Sequence, residues 1–189
     1  MQLSVLPCGL LTLHTAWLAA GYPDSIPPWI LRYGETNSLN VDLITWSAAT
    51  VIPMLLILCV GVPLRLIAYG SLGRDFTFAL AEPGRLNTSG IYGYLQHPGY
   101  ASLAVLVVAN VALVGRVDGA LSCWVEPASY GFVERAWWYV LLPVGCGVVS
   151  WGFWTRVRQE EGMLKGKFGR EWEGWHAKTP RFVPGVRFL

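Results

Sequence analysis

The feature that most constrains this chain is a set of long runs without charged residues. No Asp, Glu, Lys or Arg precedes Asp24, and a second uncharged run covers residues 43–64. A third and shorter run covers residues 100–115, and a fourth covers residues 136–155. A helix that spans a membrane needs about 20 apolar residues. Three of the runs are therefore long enough, and the third is long enough only if it starts near His97.

Those runs are continuous stretches of apolar residues, which favours helices over the alternating strands of a barrel. The composition agrees, since 53% of the residues are hydrophobic and 14% are charged, whereas an ordinary soluble domain has about 25% charged residues. The first run lacks a positively charged N-terminal region, so we interpret it as an uncleaved helix. We predict an all-α fold: a polytopic helical membrane protein with about four transmembrane helices plus a cytosolic C-terminal helix.

The 14 Lys and Arg residues are distributed unevenly along the chain. All of them except Arg32, Arg116 and Arg135 lie between the second and third runs or after the fourth run. Because cytosolic segments of membrane proteins carry an excess of Lys and Arg, we expect these two segments and both termini to face the cytosol. The net charge of +2 is too small to indicate a nucleic acid partner, and the spacing of the four Cys does not indicate a metal site.

The sequence divides into two predicted domains. Residues 1–63 predict an N-terminal transmembrane helix pair, and residues 64–189 predict a second membrane domain. In this second domain, the connection of residues 70–99 is unusually long for a link between helices. Its aromatic side chains, which include Phe76 and Phe78, favour a functional loop over a disordered one.

The remaining connections are predicted from their polar composition and their glycines. Residues 119–134 are predicted to form a polar loop on the non-cytosolic side. After the fourth run the tail is predicted to be a helix that leaves the membrane, with a break near Gly169 because glycine weakens a helix. Trp172 and Trp175 in this tail suit the headgroup layer of a membrane.

A first candidate site lies just before the third run. Pro98 suits the first turn of a helix, with His97 as the residue before it. One interpretation is a simple helix start with a solvated histidine. The other is that His97, Tyr92 and Tyr100 line a polar pocket at the membrane surface.

A second candidate site lies just after the fourth run. Arg156 and Glu160 are four residues apart, so they share one face of a helix. They could form an exposed ion pair that contributes a few tenths of a kcal/mol. Alternatively, they face the helix bundle, because a charge turned into lipid is costly. In that case Arg156 would bind a carboxylate and Glu160 an amine or ribose hydroxyls.

Together these two regions resemble a known family. SGIYGYLQHPGYAS, residues 89–102, is followed after an apolar helix by RVRQEEGMLKGKFGREWEGWHAKTPRFVPG, residues 156–185. The order and spacing are similar to the isoprenylcysteine carboxyl methyltransferase family, whose pattern has Arg-His-Pro-x-Tyr and then Arg with paired Glu. The upstream run LRLIAYGSLGRDFTF, residues 64–78, is also similar. This sequence departs from the family pattern at Gln96, where the family commonly has Arg.

The resemblance implies an integral membrane enzyme of the endoplasmic reticulum that uses S-adenosylmethionine, with residues 64–189 as a methyltransferase-like membrane domain. It would methylate the C-terminal carboxylate of prenylated cysteine, so its partners would be a prenylated protein or a lipid substrate and the bilayer. Arg156 would hold the substrate carboxylate. The residues implied in cofactor binding are Tyr92, His97, Pro98, Gly99, Tyr100 and Glu160, together with Arg85, Leu86 and Asn87 before the turn.

Other functions stay open on the sequence alone. The methyl acceptor could be a phospholipid amine or another lipid, although Arg156 suits a carboxylate better. Membrane sterol reductases resemble the same C-terminal arrangement and use NADPH. The chain could also be a non-catalytic membrane scaffold that keeps the packing of the family.

Overall fold

The computed structural model of the chain describes residues 5–73 and 83–186, and describes residues 5–8 by their backbone alone. In these ranges the regular structure is helical and contains no β-strand, which confirms the all-α prediction. The prediction for Phe76 and Phe78, and part of the motif at residues 64–78, lie outside the described residues.

Eight α-helices follow one another in the described ranges. They are α1 (Val5–Gly21), α2 (Pro28–Leu31), α3 (Ala48–Leu55), α4 (Val62–Leu72), α5 (Pro98–Val114), α6 (Pro127–Ala136), α7 (Leu142–Phe168) and α8 (Arg170–His176). Short 3₁₀ turns occur at Val41–Leu43, Gly90–Gly93 and Ala120–Cys123, and wider π turns at Leu56–Gly61 and Trp137–Leu141.

Two helical segments of the described ranges are long and apolar enough to cross a membrane. They are Val41–Leu72, with 32 residues, and Pro127–Phe168, with 42 residues. Helix α5 is apolar but has 17 residues, and α1 also has 17. Two of the four predicted transmembrane helices therefore meet this test of length and composition, and the other two stay predictions.

Each of these two long segments contains a π turn ahead of a proline. The turn Leu56–Gly61 precedes Pro63, and the turn Trp137–Leu141 precedes Pro143. Proline lacks an N–H, and its ring clashes with the carbonyl of the residue four positions earlier. A wider turn changes the local hydrogen-bond pattern, so that the helix continues through the proline.

The prediction of a polar loop over residues 119–134 is wrong. This stretch contains the 3₁₀ turn Ala120–Cys123 and most of α6. Pro127 is the first residue of α6, where its fixed φ suits a helix and its missing N–H costs nothing. The prediction relied on the polar composition of this stretch. It did not use Pro127, which is the sequence signal for the start of a helix.

The predicted break near Gly169 is confirmed. Helix α7 ends at Phe168, and Gly169 has a φ of 52°, a value that L side chains rarely adopt. Helix α8 then begins at Arg170. Trp172 is 6% exposed and stacks on His176 with 4.3 Å between ring centroids, so it packs against protein. That Trp172 and Trp175 lie at the depth of the headgroup layer stays a prediction.

The chain forms two compact units. The first combines Met1–Ile57 with Val107–Gly145, and the second combines Leu58–Leu106 with Cys146–Leu189. The first unit has a buried cluster that includes Leu18, Ile30 and Cys123. The second unit contains every residue that the sequence predicted for a functional site. The predicted division of the sequence between residues 63 and 64 stays a prediction.

Candidate functional site

The segment before the predicted site is joined to the end of α4 by Asn87. Its side-chain amide donates a hydrogen bond to the carbonyl of Ser71 at 2.9 Å. Its side-chain oxygen accepts from the backbone N–H of Ser89 at 3.2 Å and from the Ser89 hydroxyl at 3.1 Å. Both the nitrogen and the oxygen of the Asn87 side-chain amide are therefore hydrogen-bonded within the protein. These bonds fix the chain immediately ahead of the Gly90–Gly93 turn.

Helix α5 begins as the sequence predicted. Pro98 is its first residue, and the carbonyl of His97 accepts from the N–H of Ala101 at 3.0 Å. The carbonyl of Gly99 accepts from the guanidinium of Arg65 at 3.2 Å. Sequence reasoning missed Arg65, whose guanidinium also lies 4.9 Å from the centre of the Tyr69 ring.

The first turn of α5 meets the Arg156–Glu160 face of α7 through Tyr100. The Tyr100 hydroxyl lies within hydrogen-bonding reach of the side chains of Arg156 and Glu160. Its ring packs on Phe153, with 6.2 Å between ring centroids. All three polar side chains are half-buried. Arg156 and Glu160 therefore turn toward protein, which is the second of the two interpretations left open by the sequence.

Tyr92 faces the same carboxylate from the Gly90–Gly93 turn. Burial raises the pKa of Tyr92, and the nearby Glu160 carboxylate and Tyr69 raise it further, so the phenol stays protonated. Its backbone carbonyl accepts from the indole N–H of Trp175 at 2.9 Å. The structure thus brings Tyr92 and Tyr100 from one motif together with Glu160 from the other.

His97 is directed at the second glutamate of the pair. Its Nε2 lies 3.3 Å from Oε1 of Glu161, and both residues are buried, with exposed fractions of 4% and 5%. Arg181 donates to Glu161 through Nε at 2.7 Å and through Nη2 at 3.3 Å. Two adjacent glutamates therefore have different surroundings, one half-buried beside two tyrosines and one buried in an ion pair.

Gln96 is buried against the C-terminal segment. Its amide nitrogen donates to the carbonyls of His176, at 3.1 Å, and Thr179. Its Oε1 lies 2.7 Å from Nδ1 of His176. The backbone N–H groups of Gln96 and His97 donate to the carbonyls of Pro180 and Arg181 at 2.9 and 3.0 Å. Gln96, which departs from the family pattern, thus contacts the C-terminal segment that contains His176 and Thr179.

Burial lowers the pKa of His176. The Glu161 carboxylate works in the opposite direction, and the nearby Arg181 adds to the lowering. The imidazole of His176 is therefore held neutral at physiological pH, stacked on Trp172.

The other predicted site residues lie around this cluster in different ways. Arg85 is exposed and Leu86 is half-buried. The side chain of Pro98 is fully buried, so it packs in the protein interior. Cofactor-binding roles for all of the predicted residues stay predictions.

Sequence reasoning missed Glu161, Arg181 and His176 as members of the site region. One signal was available for Glu161. Adjacent residues on a helix point about 100° apart, so Glu160 and Glu161 face different directions, and this favours a separate partner for each of them. No comparable signal identified Arg181 and His176, which are brought to Glu161 and Gln96 by the tertiary fold.

The chain has the features of a polytopic membrane enzyme: long apolar helical segments and a half-buried cluster of tyrosine, arginine and glutamate side chains. Among the residues that the structure describes, no group of three or more His, Cys, Asp or Glu side chains is placed to hold a metal ion.

Comparisons with known proteins narrow this class. A model of the isoprenylcysteine carboxyl methyltransferase family matches residues 54–135, which include the motif around His97 and end before Arg156. The chain is 23% identical over 201 residues to a protein-S-isoprenylcysteine O-methyltransferase of Dictyostelium discoideum, covering 94% of this chain and 75% of that protein. The resemblance that the sequence motifs indicated is therefore confirmed.

A second relative has the same name. The protein-S-isoprenylcysteine O-methyltransferase of Schizosaccharomyces pombe is 26% identical over 132 residues, covering 67% of this chain and 46% of that protein. The chain thus spans less than half the length of this relative. No solved structure matches the chain.

Proposed function

We propose that this chain is an integral membrane methyltransferase that transfers a methyl group from S-adenosylmethionine to the C-terminal carboxylate of a prenylated cysteine. The observation that carries the proposal is the meeting of two distant motifs at Glu160, which lies beside Tyr92 and within hydrogen-bonding reach of Tyr100. The names of the two relatives support the class of substrate.

The side chains at Glu160 fit the polar groups of S-adenosylmethionine, which when bound supplies a methyl group on a positively charged sulfur. A half-buried carboxylate can accept hydrogen bonds from an ammonium group or from ribose hydroxyls. The Tyr92 phenol stays protonated and can donate a hydrogen bond. Glu160, Tyr92 and Tyr100 would hold the cofactor, with Arg85, Leu86, Asn87, His97, Pro98 and Gly99 as further members of its site.

Arg156 would bind the carboxylate of the substrate. A guanidinium can hold a carboxylate by two parallel hydrogen bonds, which fixes its orientation. A carboxylate is already ionised at pH 7, so the reaction needs no general base and we assign none to His97. The contribution of this chain is then to align two reactants and to exclude water, which can supply a large part of a rate enhancement.

In the proposed arrangement four helices span the membrane of the endoplasmic reticulum and both termini face the cytosol. The distribution of Lys and Arg supports this orientation. The polar cofactor would enter from the cytosol, which the connection of residues 70–99 would face, and a lipid-modified substrate could enter laterally from the bilayer.

Binding of S-adenosylmethionine to the purified protein in detergent tests the cofactor assignment. We expect the wild-type protein to bind it in isothermal titration calorimetry and Glu160→Ala to bind at least about tenfold more weakly, because a charge-assisted hydrogen bond contributes about 1.5–3 kcal/mol. Glu171→Ala, at an exposed position of α8, serves as the control and should bind like the wild type. Equal affinity in Glu160→Ala would remove Glu160 from the site.

The same preparation distinguishes the cofactor classes. A thermal-shift comparison should show stabilisation by S-adenosylmethionine and none by NADPH, since only a ligand that binds the folded state raises the melting temperature. Stabilisation by NADPH alone would instead favour a relative of the sterol reductases. A well-folded protein that responds to neither cofactor would favour the scaffold interpretation.

A further inference from the structure

Behind the candidate site lies a chain of hydrogen bonds between five side chains, and the peptide bond between Gln96 and His97 closes it into a ring. It runs from Gln96 to His176 at 2.7 Å, from His176 to Arg181 at 3.5 Å, from Arg181 to Glu161 at 2.7 Å and from Glu161 to His97 at 3.3 Å. It begins and ends at neighbouring residues of the motif that precedes α5. We call these five side chains the polar ring.

Hydrogen-bond chemistry assigns the protons in the part of the polar ring around His176. The amide nitrogen of Gln96 donates to two carbonyls, so its Oε1 is the atom that faces Nδ1 of His176. An oxygen of this kind only accepts, and therefore Nδ1 of His176 carries the hydrogen. Its Nε2 is then an acceptor, which suits the guanidinium of Arg181, a group that only donates.

The opposite tautomer follows for His97. An ionised carboxylate only accepts, so Nε2 of His97 carries the hydrogen that Glu161 receives. In the neutral imidazole this leaves Nδ1 of His97 as a hydrogen-bond acceptor. The position of the proton on His97 is thus set by Glu161, the partner of Nε2, and this determines the role of the other ring nitrogen.

The buried position of Glu161 indicates that this arrangement is specific. A carboxylate at 5% exposure has lost most of its hydration, a cost that is offset only by good geometry with its partners. Arg181 supplies a two-point contact with both oxygens. Arg181 belongs to the segment whose backbone carbonyls pair with Gln96 and His97, so the C-terminal segment holds the histidine in two ways.

We propose that Glu161 and Arg181 are positioning residues of the cofactor site: they hold His97 in one ring orientation and in the Nε2–H tautomer, so that Nδ1 accepts a hydrogen bond from a hydroxyl or ammonium group of S-adenosylmethionine. This inference rests on the proposed function for the identity of the ligand. The tautomer of His97 is a property of the protein alone and does not depend on it.

Nitrogen NMR of the imidazole rings tests the tautomers directly. The chain has three histidines, His14, His97 and His176, so ¹⁵N-histidine labelling in detergent micelles gives three sets of signals. His97→Gln and His176→Gln assign them. We expect the hydrogen on Nε2 in His97 and on Nδ1 in His176. The reverse tautomer at His97 in the wild-type protein would overturn the proposal.

Variants at Glu161 connect the tautomer to the ligand. In Glu161→Ala the His97 signals should shift toward a mixture of tautomers, and the dissociation constant of S-adenosylmethionine should rise about tenfold, as is common when a supporting partner of a ligand-binding side chain is removed. At saturating cofactor, kcat should stay within about threefold of the wild type, because the reacting groups are still in place. Glu161→Gln keeps an acceptor oxygen for His97 and should lie between Glu161→Ala and the wild type.

A second variant covers the case in which Glu161→Ala does not fold. Arg181→Lys keeps the positive charge and loses the two-point contact, so it should weaken cofactor binding less than Glu161→Ala while still shifting the His97 signals. Glu171→Gln, on the exposed surface of α8, is the control for both measurements.

The possible failures are distinguishable. If the wild type shows the expected tautomers and binds no S-adenosylmethionine, the proposed function is wrong, and with it the ligand assigned to Nδ1. If the wild type binds the cofactor, but the His97 signals and the dissociation constant are unchanged in Glu161→Ala and Arg181→Lys, the positioning role is wrong and the proposed function stands.

Discussion

Residue 96 illustrates how a single side chain is matched to its surroundings. Gln96 is 4% exposed, and its amide both donates to backbone carbonyls and accepts from His176. Arginine, which the family pattern has at this position, carries five donors and no acceptor. It would leave Nδ1 of His176 without its acceptor and place a second cation near Arg181. Gln96 and His176 therefore form a matched pair in this chain.

We expect Gln96→Arg to lower the melting temperature by about 5 °C or more, because an unsatisfied buried donor costs about 1–3 kcal/mol and a cation is added beside Arg181. Adding His176→Gln should restore part of the loss, since the new side-chain oxygen can accept from the introduced arginine. Thermal unfolding in detergent measures both. Gln159→Arg, on an exposed position of α7, is the matched control. A melting temperature of Gln96→Arg equal to that of the wild type would contradict the pairing.

Two of the charged residues of the site, Arg156 and Glu160, were accessible from the sequence. The spacing of Arg156 and Glu160 placed them on one helix face, and their position after an apolar run made an inward direction one of two interpretations. The partners of Gln96 and His97 were not accessible in this way. His176 and Arg181 lie about 80 residues further along the chain, and no local pattern specifies which carbonyl or imidazole the fold brings back to a given side chain.

At the scale of elements, the α7–α8 junction depends on one glycine. Gly169 has a φ of 52°, and a Cβ added there would meet no atom within 4 Å. The requirement for glycine is therefore conformational and not a matter of space. The junction matters for the site for two reasons. Trp175 of α8 donates a hydrogen bond to the Tyr92 carbonyl, and the segment after α8 contains Arg181, which contacts Glu161.

Gly169→Ala should lower the melting temperature by about 2–8 °C, since a positive φ costs an L residue about 1–2 kcal/mol. Gly174→Ala is the matched control, because Gly174 lies within α8 without a positive φ and also has open space around its Cα. Alanine there should be neutral or stabilising by about 0.5–1 kcal/mol. Thermal unfolding of both variants decides the matter, and equal effects would contradict a conformational role for Gly169.

Elements with a backbone-level signal were predictable, and the others were not. The start of α5 followed from a proline that suits the first turn, and the end of α7 followed from a glycine. Helix α6 was missed because its polar composition obscured the same proline signal at Pro127. The π turns before Pro63 and Pro143 have no sequence pattern apart from the proline itself, since a proline can be accommodated in several ways.

At the scale of the whole molecule, large apolar side chains lie on the surface of the long helical segments. Trp46 is 85% exposed, Tyr139 is 78% exposed and Trp151 is 75% exposed. Monomeric soluble proteins rarely expose extended apolar patches, whereas lipid tails and the headgroup region accommodate such side chains. The apolar runs thus supply large exposed side chains, while the second unit buries the polar side chains of His97 and Glu161.

The most direct test of the central claim is methyl transfer in proteoliposomes from labelled S-adenosylmethionine to a farnesylated cysteine. The wild-type protein should form a base-labile methyl ester, because the acceptor is a carboxylate. Arg156→Ala should bind S-adenosylmethionine like the wild type and form at least about 100-fold less ester, since it loses the group that orients the acceptor. A protein that binds the cofactor and forms no such ester, or an Arg156→Ala variant with unchanged turnover, would contradict the account.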